Sequence, residues 1–282
     1  MQLPKPDHVV ELYPQPGRLT PIRNLYLEAP LAPPDWGDRI YVYTNFVTSL
    51  DGRIALPDPA IGLPIVPDTI ANPRDWRLFQ ELAARADVLL ASGSYLRALA
   101  RGIAQDSLPL SDKPGFEDLR RWRLERGRPA QPDVMVVSAS LDIELPPEWF
   151  AQGRRVYVAT SADPAAPRAR ALAAQGAEVV QLKAGDGIDG RAAVRFLEER
   201  GYRRLYSVTG PYVLHTLLRD DLIDTLFLTT VHRLVGGDPA PGFVEGPTFR
   251  TPLDLRLRWL YLDPHAHGEN RGQSLARYDR AR

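Results

Sequence analysis

The stretch that decides the fold is Thr44–Leu56, which reads TNFVTSLDGRIAL and passes from an apolar run into a polar turn. Its first part belongs to Ile40–Thr48, IYVYTNFVT, whose β-branched and aromatic residues are typical of a buried strand. Its second part, Ser49–Gly52, contains Asp and Gly, which favour turns, and an Asp side chain there can cap backbone N–H groups. We therefore expect a buried strand that ends in a polar turn.

Strands and helices alternate through the rest of the chain. The expected strands are Asp87–Ala91, Asp133–Ser138, Arg155–Thr160, Ala177–Leu182, Arg204–Val208 and Thr225–Val231. The expected helices are Ala71–Ala86, Phe116–Glu125, Pro167–Gln175, Gly190–Arg200 and Pro211–Arg219. This alternation predicts an α/β fold with a mostly parallel central sheet and helices on both faces. Leu255–Leu262 and Leu275–Tyr278 follow without an intervening helix, which predicts an antiparallel C-terminal edge.

Residues 1–38 are rich in proline and lack a sustained periodicity. We expect them to form an N-terminal extension that wraps the domain or packs on a partner subunit, anchored by Leu12, Tyr13 and Leu25–Leu27. A disordered tail is the alternative, although apolar anchors argue against it. Residues 39–282 show no clear internal boundary, so we expect them to form one domain.

The composition argues against several classes of protein. The 282 residues include 35 Lys and Arg and 35 Asp and Glu, so charge gives no reason to expect binding to nucleic acid or to a membrane. The absence of cysteine excludes disulfides and thiolate metal sites, and the five histidines are too dispersed to predict a metal site. No apolar run approaches the roughly 20 residues of a membrane span. Without a signal peptide at the start, the protein is expected to be cytoplasmic.

Three strand-to-helix junctions carry the residue types that a ligand needs. Leu90–Leu96 (LASGSYL) has small residues that allow close approach, and Val137–Leu141 (VSASL) offers two hydroxyls for phosphate or ribose oxygens. Val208–Leu214 (VTGPYVL) opens a helix whose free N–H groups and dipole favour an anion such as a pyrophosphate. Ligands of open α/β sheets lie outside the carboxyl ends of the strands, where these junctions fall. Glycine and serine are also ordinary turn residues, so each junction alone remains open to that interpretation.

Taken in order, six segments resemble the reductase domain of the riboflavin pathway, the aminouracil-ribose reductase that is related in fold to dihydrofolate reductase. They are Ser49–Ala55 (SLDGRIA), Ala86–Ser94 (ADVLLASGS), Val137–Pro146, Val208–Val213 (VTGPYV), Leu222–Leu226 (LIDTL) and Leu234–Gly237 (LVGG). The resemblance covers about residues 39–280 with the family's order and spacing. It implies a dihydrofolate-reductase-like fold, with residues 39–282 as a reductase-like nucleotide-binding domain and a homodimer as the assembly.

The resemblance also implies NADPH as the cofactor, with NADH as the alternative. The residues expected to contact it are Val47, Thr48, Ser49, Ser92, Gly93, Ser94, Ser138, Ser140, Ser161, Thr209, Gly210, Pro211, Tyr212, Val213 and Leu214. We expect the nicotinamide near Thr44–Ser49 and the turn Ala91–Ser94 (ASGS), and a hydroxyl-lined or basic pocket near Ser138, Ser140 and Ser161 would favour the 2′-phosphate of NADPH.

Asp51 and Asn45 are the candidates for catalysis, and Trp76 is a further candidate to face the substrate. Asp51 is expected to orient the turn or assist proton delivery, with simple capping of backbone N–H groups as the alternative. Asn45 and Trp76 are candidates to face the substrate. A buried polar group of the strand, for Asn45, and an anchor of the core, for Trp76, are equally good interpretations.

The chain departs from the family's sequence at positions where the family's residues bind the substrate. Arg97–Ala100 stand in place of an acidic D-D-P segment, Val208 in place of a substrate-contacting Glu, and Leu82 in place of an Arg. We therefore expect an NAD(P)H-dependent reductase that transfers hydride to a C=O or C=N bond of a different small heterocycle or glycosylamine. The alternatives are a non-catalytic nucleotide-binding protein of the same fold, or the 5-amino-6-(5-phosphoribosylamino)uracil reductase itself.

Overall fold

A computed structural model describes residues 4–58, 60, 64–104, 110–185, 187–237, 240–268 and 271–281. The chain forms two compact units. The first unit contains Met1–Leu31, Tyr43–Glu81 and Gly210–Arg282, and the second contains Ala32–Val42 and Leu82–Thr209.

Strands and helices alternate in the order that the sequence predicts. The strands are β1 (His8–Tyr13), β2 (Leu19–Pro21), β3 (Tyr41–Thr48), β4 (Leu56–Pro57), β5 (Pro64–Ile65), β6 (Val88–Ser92), β7 (Asp133–Val137), β8 (Val156–Thr160), β9 (Glu178–Gln181), β10 (Lys183–Ala184), β11 (Gly187–Ile188), β12 (Arg204–Ser207), β13 (Thr225–Val231), β14 (Leu255–Asp263) and β15 (Gln273–Arg280). The helices are α1 (Leu25–Glu28), α2 (Pro73–Arg85), α3 (Gly93–Ala100), α4 (Glu117–Leu124), α5 (Pro147–Ala151), α6 (Pro167–Ala174), α7 (Gly190–Glu199) and α8 (Pro211–Arg219).

In the first unit the strand order is β2-β1-β14-β15-β13-β3. All of these neighbours are antiparallel except β13 and β3, which run parallel. The register of that parallel pair places Phe227 beside Asn45 and Thr229 beside Val47. Laterally paired residues of adjacent strands share a face of the sheet, so this register decides which side chains of β3 and β13 meet.

In the second unit the strand order is β12-β6-β7-β8-β9, and every neighbouring pair is parallel. Strands β6 and β8 are buried along their whole length, as is typical of central parallel strands. Because parallel strands point the same way, their carboxyl ends lie at one edge of the sheet. Helix α3 begins at this edge, directly after β6.

The N-terminal extension is tied to α2 through a buried carboxylate. The side chain of Glu81 is fully buried and accepts hydrogen bonds from the backbone N–H groups of Asn24 (2.6 Å), Tyr26 (3.0 Å) and Leu27 (3.3 Å). The Arg77 Nε atom donates to the same carboxylate at 2.9 Å. Glu81 therefore satisfies the donors at the start of α1, which a short helix leaves exposed.

The structure confirms the predicted fold class, an α/β fold with parallel strands and an antiparallel C-terminal edge. It adds that the antiparallel part is larger than expected, because β1 and β2 of the extension pair onto β14. Leu25–Leu27 are buried as predicted anchors, whereas Leu12 and Tyr13 are 40% and 47% exposed in this chain, and their packing on a partner subunit stays a prediction. None of the helices in the described ranges combines the length and apolar character that a membrane span requires.

We expect the variant Glu81→Ala to lose about 3 kcal/mol of stability, because it leaves Arg77 and three buried N–H donors without their acceptor. The free energy of unfolding in urea measures this loss. The exposed Glu199, at the end of α7, provides a matched control. A loss for Glu81→Ala no larger than that for Glu199→Ala would contradict the role assigned to Glu81.

Candidate active site

Hydroxyl side chains follow four neighbouring parallel strands of the second unit. Ser207 ends β12 and Thr209 follows it, Ser92 ends β6, Ser138 follows β7, and Ser161 follows β8. Because β12, β6, β7 and β8 pair in this order, these hydroxyl side chains form a row along the carboxyl edge of the sheet. The sequence predicts four of these five residues as cofactor contacts, and the row has the donors and acceptors that phosphate and ribose oxygens require.

The turn between β6 and α3 packs closely against the end of β7. The Ser92 Oγ atom accepts a hydrogen bond from the backbone N–H of Tyr95 at 3.3 Å and lies 2.8 Å from the Ser94 Oγ atom, so Ser92 caps the start of α3. A Cβ atom at Gly93 would lie 2.8 Å from the Ser138 Oγ atom. Only glycine therefore lets these two predicted segments approach each other without a shift.

The turn after β7 is held by its own hydroxyls. The Ser138 Oγ atom accepts from the Leu141 N–H at 3.2 Å, and the Ser140 Oγ atom accepts from the Asp142 N–H at 3.3 Å. Leu141 has a φ of 56°, a left-handed conformation that these hydrogen bonds help to stabilise. Ser138 is buried whereas Ser140 is exposed, so Ser140 is the one available to a ligand.

Two arginines that the sequence analysis does not predict as cofactor contacts converge on this turn. The Arg97 Nη1 atom, from α3, donates to the Asp142 carbonyl at 3.4 Å, and the Arg168 Nη1 atom, from α6, donates to the Ser140 carbonyl at 3.2 Å. Arg168 also lies 3.4 Å from the Asp142 carboxylate and remains 61% exposed. Guanidinium groups beside an exposed hydroxyl, here that of Ser140, form a favourable environment for a phosphate. The sequence analysis names Arg97 only as a departure from the family's acidic segment and does not name Arg168, because the two lie on separate helices that only the fold brings together.

In the first unit, Asp51 organises the turn after β3. Its carboxylate accepts from the Ser49 hydroxyl (2.6 Å), the Val235 N–H (3.2 Å) and the Gly236 N–H (2.8 Å), and so joins this turn to the loop after β13. The hydrogen bond from Ser49, followed by those from Gly236 and Val235, lowers the pKa of Asp51 to about 2. A carboxylate that stays ionised suits the orienting role predicted for Asp51 better than proton delivery.

Helix α8 begins at Pro211 after Gly210, without a side-chain cap among the described residues. The N–H groups in the first turn of a helix have no acceptor within the helix, so an anion can bind there, and a proline at the first position removes only one of them. Tyr212, in the same turn, is 71% exposed. The predicted helix start is present, and the anion site at Gly210–Leu214 stays a prediction.

Residues 240–249, which we call the strap, run from the turn after β3 to α8. At one end, Gly242 forms a bridge with Arg53. At the other end, the ring of Phe249 stacks on His215 at 4.7 Å, and the His215 Nε2 atom lies 2.6 Å from the Pro247 carbonyl. The sequence analysis does not predict the strap, although its run of glycines and prolines is a signal for a specific loop.

Asn45 and Val47 lie on one face of β3, and a buried acid lies in the first turn of α2. Both strand residues are half-buried, and their partners on β13, Phe227 and Thr229, are buried. Asp75, in the first turn of α2, is also buried, and its Oδ1 atom has no hydrogen-bond partner among the described residues. Burial is the main cause that raises the pKa of Asp75 to about 6. The sequence analysis does not single out Asp75, because an acid in the first turn of a helix is usually exposed.

The structure gathers the predicted site residues into two groups, one in each unit. The second unit holds Ser92, Gly93, Ser94, Ser138, Ser140, Ser161 and Thr209, and the first unit holds Asn45, Val47, Thr48, Ser49, Asp51 and Gly210–Leu214. Their individual roles stay predictions. Trp76, the other candidate to face a substrate, stacks on Phe79 at 5.0 Å. Within the described ranges, no group of three metal-ligating side chains occurs, and His215 and His232 are engaged in hydrogen bonds.

Comparison with known proteins gives one consistent family. The family model of the RibD C-terminal domain matches residues 40–264. The 2,5-diamino-6-ribosylamino-4(3H)-pyrimidinone 5′-phosphate reductase of Archaeoglobus fulgidus is 24% identical over 211 residues, which are 75% of this chain and 89% of that protein.

Two solved structures resemble this chain in fold. A pyrimidine reductase-like protein from Corynebacterium diphtheriae has a TM-score of 0.66 and 19% identity, covering 93% of this chain and 99% of that chain. The riboflavin biosynthesis reductase Rib7 of Saccharomyces cerevisiae has a TM-score of 0.56 and 15% identity, covering 88% of this chain and 93% of that chain.

We expect Gly246→Ala to detach the strap from α8, because a Cβ atom at Gly246 would lie 2.4 Å from the His215 ring. Such overpacking costs about 1–3 kcal/mol, which unfolding in urea measures. The double variant Gly246→Ala, His215→Ala removes the clash, so its loss should be smaller than the sum of the two single losses. Strictly additive losses would show that the ring and the strap do not compete for this space.

Proposed function

Because the chain belongs to the RibD C-terminal domain family, we propose that it is an NADPH-dependent reductase. In this proposal it transfers hydride to a C=N or C=O bond of a small heterocycle or glycosylamine. The Archaeoglobus relative is by name a reductase of a ribosylaminopyrimidinone phosphate, and the yeast structure is a riboflavin biosynthesis reductase. Both support reduction of a pyrimidine glycosylamine as the reaction class.

The observation that carries the cofactor proposal is the pair of guanidinium groups at the turn after β7. Arg97 and Arg168 approach the backbone of a turn whose Ser140 hydroxyl is exposed. In our proposal this turn binds the 2′-phosphate that distinguishes NADPH from NADH. In the first unit, the start of α8 and Thr44–Ser49 stay the predicted contacts for the pyrophosphate and the nicotinamide. When bound, NADPH supplies the hydride.

The substrate proposal follows from residues that stand in place of the family's substrate-binding residues. Leu82 is fully buried, and Val208 is half-buried, so neither position offers a charge or a hydrogen bond to a substrate. Loss of an ionic partner at a substrate phosphate costs about 2–3 kcal/mol. We therefore infer a glycosylamine that is held less through its phosphate than the family's substrate. The riboflavin-pathway substrate itself is the second candidate, and the family membership favours it.

Turnover with two acceptors tests this proposal. NADPH oxidation is measured with 2,5-diamino-6-ribosylamino-4(3H)-pyrimidinone 5′-phosphate and with the same compound lacking its phosphate. We expect NADPH to be consumed with both, and the phosphate to improve kcat/KM by less than about tenfold. A much stronger preference for the phosphate would identify the riboflavin-pathway reductase. NADPH binding without turnover of either compound would leave a non-catalytic nucleotide-binding protein. Failure to bind either NADPH or NADH would contradict the reductase and the nucleotide-binding protein alike.

The double variant Arg97→Gln, Arg168→Gln tests the site of the 2′-phosphate. We expect its Kd for NADPH to rise about tenfold or more, because charge-assisted hydrogen bonds contribute about 1.5–3 kcal/mol, while the Kd for NADH stays unchanged. Isothermal titration calorimetry measures both constants. The exposed Arg195→Gln, on α7, is the matched control. Equal weakening of NADPH and NADH would place the 2′-phosphate elsewhere.

A further inference from the structure

The turn after β7 brings a carboxylate, that of Asp142, to the two arginines that the proposed function assigns to the 2′-phosphate of NADPH. We propose that this carboxylate binds the 2′-hydroxyl of NADH and thereby lets the same turn accept either cofactor. This inference rests on the proposed function, because it names the residue that sets the cofactor specificity of the proposed site. The sequence motifs do not indicate this role for Asp142.

The first support is the accessibility of the Asp142 carboxylate. Its Oδ1 atom lies 3.4 Å from the Arg168 Nη2 atom, and the side chain is 66% exposed. Within the part of the chain that the structure describes, neither oxygen of this carboxylate accepts a hydrogen bond, since the hydrogen bonds of Asp142 are made by its backbone. A carboxylate only accepts hydrogen bonds, and a ribose hydroxyl can donate one. The carboxylate is therefore available to a hydroxyl of a ligand at this turn.

The second support is that backbone carbonyls hold both arginines at the turn. The Arg97 Nη1 atom donates to the Asp142 carbonyl at 3.4 Å, and the Arg168 Nη1 atom donates to the Ser140 carbonyl at 3.2 Å. A Cβ atom at Gly93 would lie 3.2 Å from the Arg97 Nη1 atom, so Arg97 also passes close to the start of α3. These contacts involve main-chain atoms, which stay in place whatever side chain stands at position 142. The Asp142 carboxylate can therefore act on a ligand without being needed to hold the arginines.

The third support is the charge balance of the ion pairs at this turn. Among the described residues, Arg168 is paired with Asp142, whereas Arg97 donates to a carbonyl and has no ion pair. Two guanidinium groups and one carboxylate leave one positive charge in excess, which suits a phosphate. The carboxylate also repels that phosphate and competes with it for Arg168, so Asp142 lowers the affinity for NADPH.

The two cofactors differ only at this position of the adenosine ribose, where NADH has a hydroxyl and NADPH has a phosphate. In dinucleotide-binding α/β sheets, an acid binds the 2′-hydroxyl of NAD, and an arginine accommodates the 2′-phosphate of NADP. This turn has both groups in contact with each other. Asp142 accepts the hydroxyl hydrogen of NADH, and Arg97 and Arg168 bind the phosphate of NADPH. Because each cofactor has a partner here, their Kd values differ by less than about tenfold.

Two variants at position 142 test this inference by isothermal titration calorimetry with NADPH and NADH. Asp142→Asn removes the charge but keeps a neutral acceptor, whereas Asp142→Ala removes both. The Kd for NADPH should fall about threefold in both variants, because the repelling charge is exposed and partly screened. The Kd for NADH should rise about fivefold in Asp142→Ala and by less in Asp142→Asn. Glu199→Gln, an exposed acid at the end of α7, is the matched control for the change in net charge.

Two adenosine fragments test the turn without the nicotinamide. Adenosine 2′,5′-bisphosphate carries the 2′-phosphate, and adenosine 5′-monophosphate carries the 2′-hydroxyl. Asp142→Ala should bind the bisphosphate more tightly and the monophosphate more weakly than the wild type does. Unfolding in urea should show the same stability for both variants and the wild type, because the Asp142 side chain forms only an exposed ion pair.

The outcomes separate this inference from the proposed function. A wild-type protein that binds NADPH but discriminates against NADH by more than about tenfold overturns the role of Asp142 and leaves the reductase. Variants whose ratio of the two Kd values equals that of the wild type overturn it as well, whether they bind both cofactors unchanged or more weakly. A wild-type protein that binds neither cofactor overturns the proposed function and the role of Asp142 together.

Discussion

The ion pair between Arg74 and Asp263 fixes the start of α2, on which the first unit depends. The Arg74 guanidinium donates to both oxygens of a fully buried carboxylate, at 2.7 and 2.8 Å. Gln273 adds a third donor to Asp263, and Asn72, which bonds to Gln273, accepts from the first N–H groups of α2. Such a bidentate, buried pair is costly to break, so the first turn of α2 is held in one position.

Two acidic side chains of α2 depend on that position. Asp75 follows Arg74 directly and is buried, and two turns later Glu81 binds the N-terminal extension. A buried carboxyl group reduces stability unless its partners are well aligned, so a fixed helix start matters for both residues.

Local patterns in the sequence predict most of the fold. Pro211–Arg219 and Thr225–Val231 have the predicted bounds, because a proline begins the helix and a β-branched run fills the strand. The hydroxyls after β6, β7 and β12 are predictable for the same reason, since parallel strands bring their carboxyl ends to one edge. The homodimer, the cytoplasmic location and the roles of Asp51 and Asn45 stay predictions.

The rest of the site depends on contacts between distant residues, which no local pattern encodes. Arg97 and Arg168 come from different helices, and the strap depends on the fit of Gly246 against His215. Transfer of deuterium from NADPH labelled at the dihydronicotinamide carbon tests the central claim most directly. A reductase of this kind places deuterium on the carbon of the former C=N bond of the ribosylaminopyrimidinone substrate. Bound but unoxidised NADPH, with an unlabelled substrate, would contradict hydride transfer.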